Sequence, residues 1–131
     1  MILIDSCMFI PLLRQGIDPA REFSVLAEQV DIATCGVVRC EIIRGMSTLK
    51  ARKALSAYLD CLLYIPTLNS LWKTAEDILW SSGRSGFTLP LTDAVIAACA
   101  IRAGAGVLTL DKHFDCIEGL TVVRDYPRPL S

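Results

Sequence analysis

Short apolar runs alternate along the chain with segments whose apolar residues recur every three or four positions, and this alternation sets the expected architecture. Ile2 to Ile4 is apolar throughout and stops abruptly at Asp5, the pattern of a buried parallel strand whose next residue emerges at the sheet's carboxyl edge. A helix to about Arg14 follows. Asp18-Pro19 supplies an N-cap and a first-turn proline for a helix bearing Phe23, Leu26, Ala27 and Val30. Asp31 to Thr34 reads as a second strand, and Val38, Glu41, Ile42 and Gly45 as a helix beginning at Val37. Ser47 caps a further helix whose apolar positions Leu49, Ala54, Ala57, Tyr58 and Cys61 run to about residue 61. Leu62 to Ile65 is the third strand, ended by Pro66. Leu68, Leu71, Trp72, Ala75, Ile78 and Leu79 then form an amphipathic helix that stops near Ser81-Ser82-Gly83.

The turn-rich stretch Ser81 to Pro90 reads as a surface loop. Thr92 caps the most apolar helix, Ala94 to Ala103, which has few polar side chains and is expected to be buried on most sides. Gly104-Ala105-Gly106 suits a helix C-cap, because it leaves a helix and enters a strand; a phosphate-cradling glycine loop requires the reverse order. Val107 to Leu110 and Leu120 to Val123 complete the strands, with a short helix from Lys112 to Ile117 between them. The order implies an α/β fold: one domain spanning residues 1–131, with a central parallel sheet of about five strands and helices on both faces.

In an open parallel sheet, ligands bind beyond the carboxyl ends of the strands. Asp5 follows the first strand, Asp111 ends the fourth, Glu41 lies in the helix after the second, and Asp93 opens the buried helix before the fourth. Asp93 also admits a plain helix-capping reading, although Thr92 already supplies a cap. Four carboxylates at one edge repel one another unless a cation sits among them. Oxygen ligands favour Mg²⁺ or Mn²⁺ over Zn²⁺, and an ion of that kind suits phosphoryl chemistry, since it lowers the pKa of water and neutralises phosphate charge.

Composition narrows this further. The 131 residues are 53% hydrophobic, with 13 Lys+Arg against 14 Asp+Glu and one His, which excludes a disordered or polybasic chain. Setting the four candidate acids aside leaves ten acids against those 13 bases, a mildly basic remainder compatible with RNA. The six cysteines form no C-x-x-C pair and lie in or beside apolar segments, so they are expected to be reduced, buried thiols of a cytoplasmic protein. No signal peptide and no membrane span are expected. A haloacid-dehalogenase-like phosphatase needs an acid where Cys7 stands. A response-regulator receiver needs one after the third strand, which here continues Pro66-Thr67.

Four stretches carry a family resemblance: Ile2-Leu3-Ile4-Asp5-Ser6, Val38-Arg39-Cys40-Glu41-Ile42-Ile43-Arg44-Gly45, Leu91-Thr92-Asp93-Ala94-Val95-Ile96-Ala97-Ala98, and Leu108-Thr109-Leu110-Asp111-Lys112-His113-Phe114 followed by Gly119-Leu120-Thr121-Val122. In this order and spacing the chain resembles a PIN domain over residues 1 to about 126, and within that group it is similar to VapC-type toxin ribonucleases. The resemblance implies a metal-dependent endoribonuclease, with Asp5, Glu41, Asp93 and Asp111 as the acidic site for Mg²⁺ or Mn²⁺. It also implies a homodimer held inactive by a cognate antitoxin. Cys40 departs from the pattern, standing where a small polar or apolar residue is commoner.

Around the site, Asp115 serves either a second ion or a solvated helix face. Ser6 either holds a carboxylate or caps the following helix, and Thr109 either orients the site or ends a strand. Arg44 is placed for RNA phosphate, for an antitoxin carboxylate, or to pair with Glu41. Lys112 and Arg84 are weaker phosphate candidates. His113, next to Phe114, reads as a packing and orienting residue more than a phosphate donor. Trp72 and Trp80, eight apart on one helix, are expected in the core, with an aromatic groove for a partner helix or a dimer as the functional reading. Two other readings of the whole chain stay open: a catalytically idle PIN domain acting as a binding module, and a PIN nuclease of RNA maturation without an antitoxin.

Overall fold

The computed structural model describes residues 1–130. Five strands, β1 (Ile2–Ile4), β2 (Ile32–Cys35), β3 (Leu63–Ile65), β4 (Gly106–Leu108) and β5 (Val122–Val123), form one parallel sheet in the order β3-β2-β1-β4-β5. Leu3 lies opposite both Ala33 and Val107, and Ile4 opposite Leu108; all five are fully buried. Burial on both faces explains why the central strands are continuous apolar runs rather than alternating ones.

Seven α-helices flank the sheet: α1 (Ser6–Arg14), α2 (Pro19–Glu22), α3 (Ser24–Gln29), α4 (Gly36–Ile43), α5 (Leu49–Asp60), α6 (Asn69–Arg84) and α7 (Leu91–Ala103); a 3₁₀ turn covers Lys112–Cys116. None is long and apolar enough to cross a membrane. In α7 every residue from Asp93 to Ala100 is buried, and the helix packs against α6, α4 and β4. Its alanines let the neighbouring backbones approach closely. Gly104, at φ 67°, turns the chain out of α7 into β4, which a side chain at that position would strain. Phe9 and Phe23 meet edge to face with centroids 5.3 Å apart, and Tyr126 packs on Phe23 at 5.2 Å, tying the C-terminal segment to the core.

Several sequence expectations need correction at the level of caps and ends. Thr48, not Ser47, caps α5, its hydroxyl accepting from the Ala51 amide. Helix α7 begins at Leu91, so Thr92 lies inside its first turn and Pro90 stands at the cap. Helix α6 runs on to Arg84, because Ser81, Ser82 and Gly83 continue the helix; the following loop is correspondingly shorter. The helix expected from Pro19 to Val30 breaks at Phe23 into α2 and α3. Cys40 and Cys61 are exposed, whereas Cys35 and Cys99 are buried; all six thiols are free. Trp72 and Trp80 are not core residues, being 45% and 66% exposed. The α6 face that enters the core is Leu71, Ala75 and Ile78; Trp72 borders it, whereas Trp80 lies on the opposite side of the helix.

Phe9 is fully buried beneath this packing, so Phe9→Ala is expected to lower stability by about 3–5 kcal/mol, as the loss of a large core side chain does. Denaturant unfolding measures it, and a change below about 1 kcal/mol would contradict the packing described.

Candidate active site

The chain steps outward from β1 to β2 and β3, then returns to the far side of β1 to form β4. That reversal opens a crevice beyond the carboxyl ends of β1 and β4, where parallel sheets receive ligands. Asp5 stands at the end of β1 with its amide bonded to the Leu108 carbonyl (3.0 Å), and Thr109 to Asp111 leave β4 beside it.

Asp5 is buried and caps α1: its Oδ1 accepts from the Ser6 amide (2.8 Å), and its Oδ2 accepts from the Thr109 hydroxyl (2.8 Å) and the Cys7 thiol (3.2 Å). Thr109, fully buried, uses the same hydroxyl oxygen to accept from the Asp111 amide (3.0 Å). One hydroxyl therefore fixes two of the four acids. Asp111 in turn caps the 3₁₀ turn through the His113 amide (2.9 Å). Ser6 Oγ donates to Glu41 Oε1 (3.2 Å), so of its two readings the structure carries the carboxylate-holding one, Asp5 having taken the capping role.

The carboxylates act on one another. Burial pushes the Asp93 carboxyl above its ordinary value and the charges of Asp111 and Asp5 add to this, against a hydrogen bond from His113. Burial also raises Glu41, helped by the charges of Asp5 and Asp93 and opposed by Ser6 and Arg44. His113 Nδ1 lies 2.9 Å from Asp93 Oδ2 and 3.2 Å from Asp111 Oδ1; the Asp93 bond and the Asp111 charge push the imidazole pKa up. Single ligand atoms of Asp93, Asp111 and His113 lie within 4.8 Å of one another. The two carboxylates of that group are oxygen donors that fit a hard divalent cation; among the described residues, Asp5 and Glu41 lie outside it.

The remaining predicted residues are more dispersed. Arg44, exposed at the end of α4, lowers the Glu41 pKa by its charge without forming an ion pair. Lys112 is exposed. Asp115 is exposed and held in an ion pair by Arg124.

The sequence profile of the PIN domain matches residues 2–120. The chain belongs to the PIN domain family.

Solved structures agree with this PIN fold. VapBC2 from Rickettsia felis, bound to a DNA fragment from its promoter, superposes with a TM-score of 0.79 at 19% identity, covering 94% of this chain and 98% of that one. DNA-bound VapBC from Salmonella typhimurium gives 0.77 at 19% identity over 93% and 96% of the two chains. VapC20 of Mycobacterium tuberculosis, described as a sarcin-ricin loop cleaving toxin, gives 0.68 at 19% identity over 95% and 100%. A search of curated protein sequences returned no match.

Within this PIN domain two site contacts escaped the sequence reading. Cys7 touches Asp5, and Arg124, directly after β5, donates to the carbonyls of Thr109 (2.8 Å) and Asp111 (3.1 Å). Position after a strand at the carboxyl edge was an available signal for Arg124. For Cys7 the signal was weak, since a cysteine beside a strand end usually packs. Of the packing and orienting roles expected for His113, packing does not hold, since its ring is half exposed, and it is bonded instead to two acids; its place two residues after Asp111 is the clue.

Thr109→Val keeps the shape but takes one donor from the Asp5 carboxylate and leaves the Asp111 amide without its acceptor, and is expected to cost about 1–3 kcal/mol in chemical unfolding. For Glu41→Gln the sign follows from the raised pKa. A carboxyl that holds its proton more tightly folded than unfolded opposes folding above its folded pKa, and the penalty fades as pH falls toward the unfolded value. The metal-free variant is therefore expected to melt above the parent at neutral pH, the gap closing as pH drops through the carboxylate range. A pH-independent gap would refute the raised pKa.

Proposed function

We propose that this PIN domain is a divalent-metal-dependent endoribonuclease and the toxin of a type II toxin–antitoxin pair. It acts in the cytoplasm as a single domain over residues 1–131, assembles as a homodimer and is neutralised by a VapB-like antitoxin. The observation that carries this reading is that Asp5, Glu41, Asp93 and Asp111, four acids from distant segments, are linked at one sheet edge through Ser6, Thr109 and His113. The structural neighbours named as VapBC complexes support the antitoxin partner, and the one named as a cleaving toxin supports RNA as substrate.

Asp5, Glu41, Asp93 and Asp111 would hold Mg²⁺ or Mn²⁺, with Asp115 available to a second ion if Arg124 releases it. When bound, the ion supplies a lowered pKa for water and neutralisation of phosphate charge. The chain's own residues do the positioning. Thr109 and Ser6 hold the carboxylates of Asp5 and Glu41 in place, while the guanidinium of Arg44 and the ammonium of Lys112 take up RNA phosphates. The proton at His113 Nδ1 offsets the repulsion between Asp93 and Asp111.

Purified protein is expected to cut RNA with Mn²⁺ or Mg²⁺, and Asp93→Asn to lower the rate by about 100-fold or more while keeping its circular dichroism spectrum. Manganese at 100 times its Kd should add about 2.7 kcal/mol of stability to the parent and none to the variant. Cleavage by the variant at the parent's rate would overturn the site. A manganese shift without cleavage would instead mark an idle binding module. An antitoxin encoded beside the chain is expected to co-elute from its native operon and to suppress cleavage; cleavage with no such partner would favour RNA maturation.

A further inference from the structure

Strand β3 ends at Ile65, and Pro66 to Leu68 carry the chain directly into α6, which puts Trp72, on the first turn of that helix, at the carboxyl edge of the sheet. A groove of about 380 Å³ opens there, lined by Val37, Glu41, Arg44, Thr67, Trp72 and Thr92. A second groove of about 430 Å³, on the side of α1, also contains Glu41 and Arg44 and adds Arg14. The two grooves thus meet over one acid of the candidate active site and one arginine. Neither Arg14 nor Arg44 forms an ion pair among the described residues, whereas Arg39, Arg124 and Arg128 are each tied to an aspartate.

A free guanidinium, a half-exposed indole and a cleaving site in one track match the chemistry of a nucleotide: phosphate on arginine, base on an aromatic face. We infer that Trp72 is a base-stacking residue for the nucleotide next to the scissile phosphate, the strand crossing these two grooves with its neighbouring phosphates on Arg44 and Arg14. This rests on the nuclease reading of the same site and adds the residue that takes the base. Bases in a duplex are stacked on one another and have no free face for the indole, so the groove selects single strands. Trp80, eight residues on, is packed by the Arg84 guanidinium at 4.8 Å and lies outside both grooves, which makes it the internal control.

The chain has two tryptophans, so Trp80→Phe leaves Trp72 as the sole fluorophore. In Trp80→Phe combined with Asp93→Asn, a mixed-sequence single-stranded oligoribonucleotide is expected to quench the emission, and a duplex of the same sequence to leave it nearly unchanged. In manganese-supported cleavage, Trp72→Ala is expected to raise KM about tenfold with kcat near the parent's, with Trp72→Phe recovering most of the loss and Trp80→Phe cutting as the parent does. A parental KM in Trp72→Ala or equal quenching by the duplex would overturn the inference. Absence of cleavage by the parent defeats the nuclease reading alone, and quenching then decides the groove by itself.

Discussion

The hydroxyl of Thr109 is the point on which the candidate site turns. Fully buried at the exit of β4, it donates to the Asp5 carboxylate and accepts from the Asp111 amide, so two acids from strands 104 residues apart in sequence are set by one oxygen. Parallel pairing of β1 with β4 brings that oxygen within reach, since Ile4 lies opposite Leu108 and each strand is followed at once by a site residue. The sheet register therefore carries chemical information, and a slip of one residue would break the clamp.

Holding carboxylates this close costs free energy, and the structure shows how the cost is limited. Donors surround the most buried acid: the Ser6 amide, the Cys7 thiol and Thr109 all turn toward Asp5. The imidazole of His113 stands between Asp93 and Asp111, and the Arg124 guanidinium supports the backbone that carries Asp111. Glu41 and Asp93 have less complete neutralisation and bear the raised pKa values. The burial of α7 gives Asp93 a rigid base, because a helix packed along eight consecutive residues has little freedom to move its carboxylate away from its neighbours.

The strands were legible because burial on both faces leaves a simple signature, and Asp5 was legible because a charge ending such a run has to emerge at an edge. Asp111 and Glu41 followed from the same logic one connection later. Helix ends were less legible: Thr48 displaced Ser47 as a cap, and Ser81 to Gly83 stayed helical, because capping depends on local dihedrals that several adjacent residues satisfy equally well. The tryptophans misled for a different reason. Apolar spacing marks a helix face to within about one residue, and the buried stripe of α6 passes through Leu71 and Ala75, leaving Trp72 beside it at the edge. The contacts of Cys7, His113 and Arg124 are tertiary, and a linear pattern holds no record of which side chain fills the gap between two acids.

The central claim is that the folded chain forces these acids into one another's field. Carbon-detected NMR titration of the aspartate and glutamate carboxyls in the metal-free protein tests it most directly. Glu41 and Asp93 are expected to titrate above their ordinary values and to fall when Mg²⁺ is added. If both titrate at ordinary values and do not respond to Mg²⁺, the acids are neighbours in sequence pattern only, and the site as described does not exist.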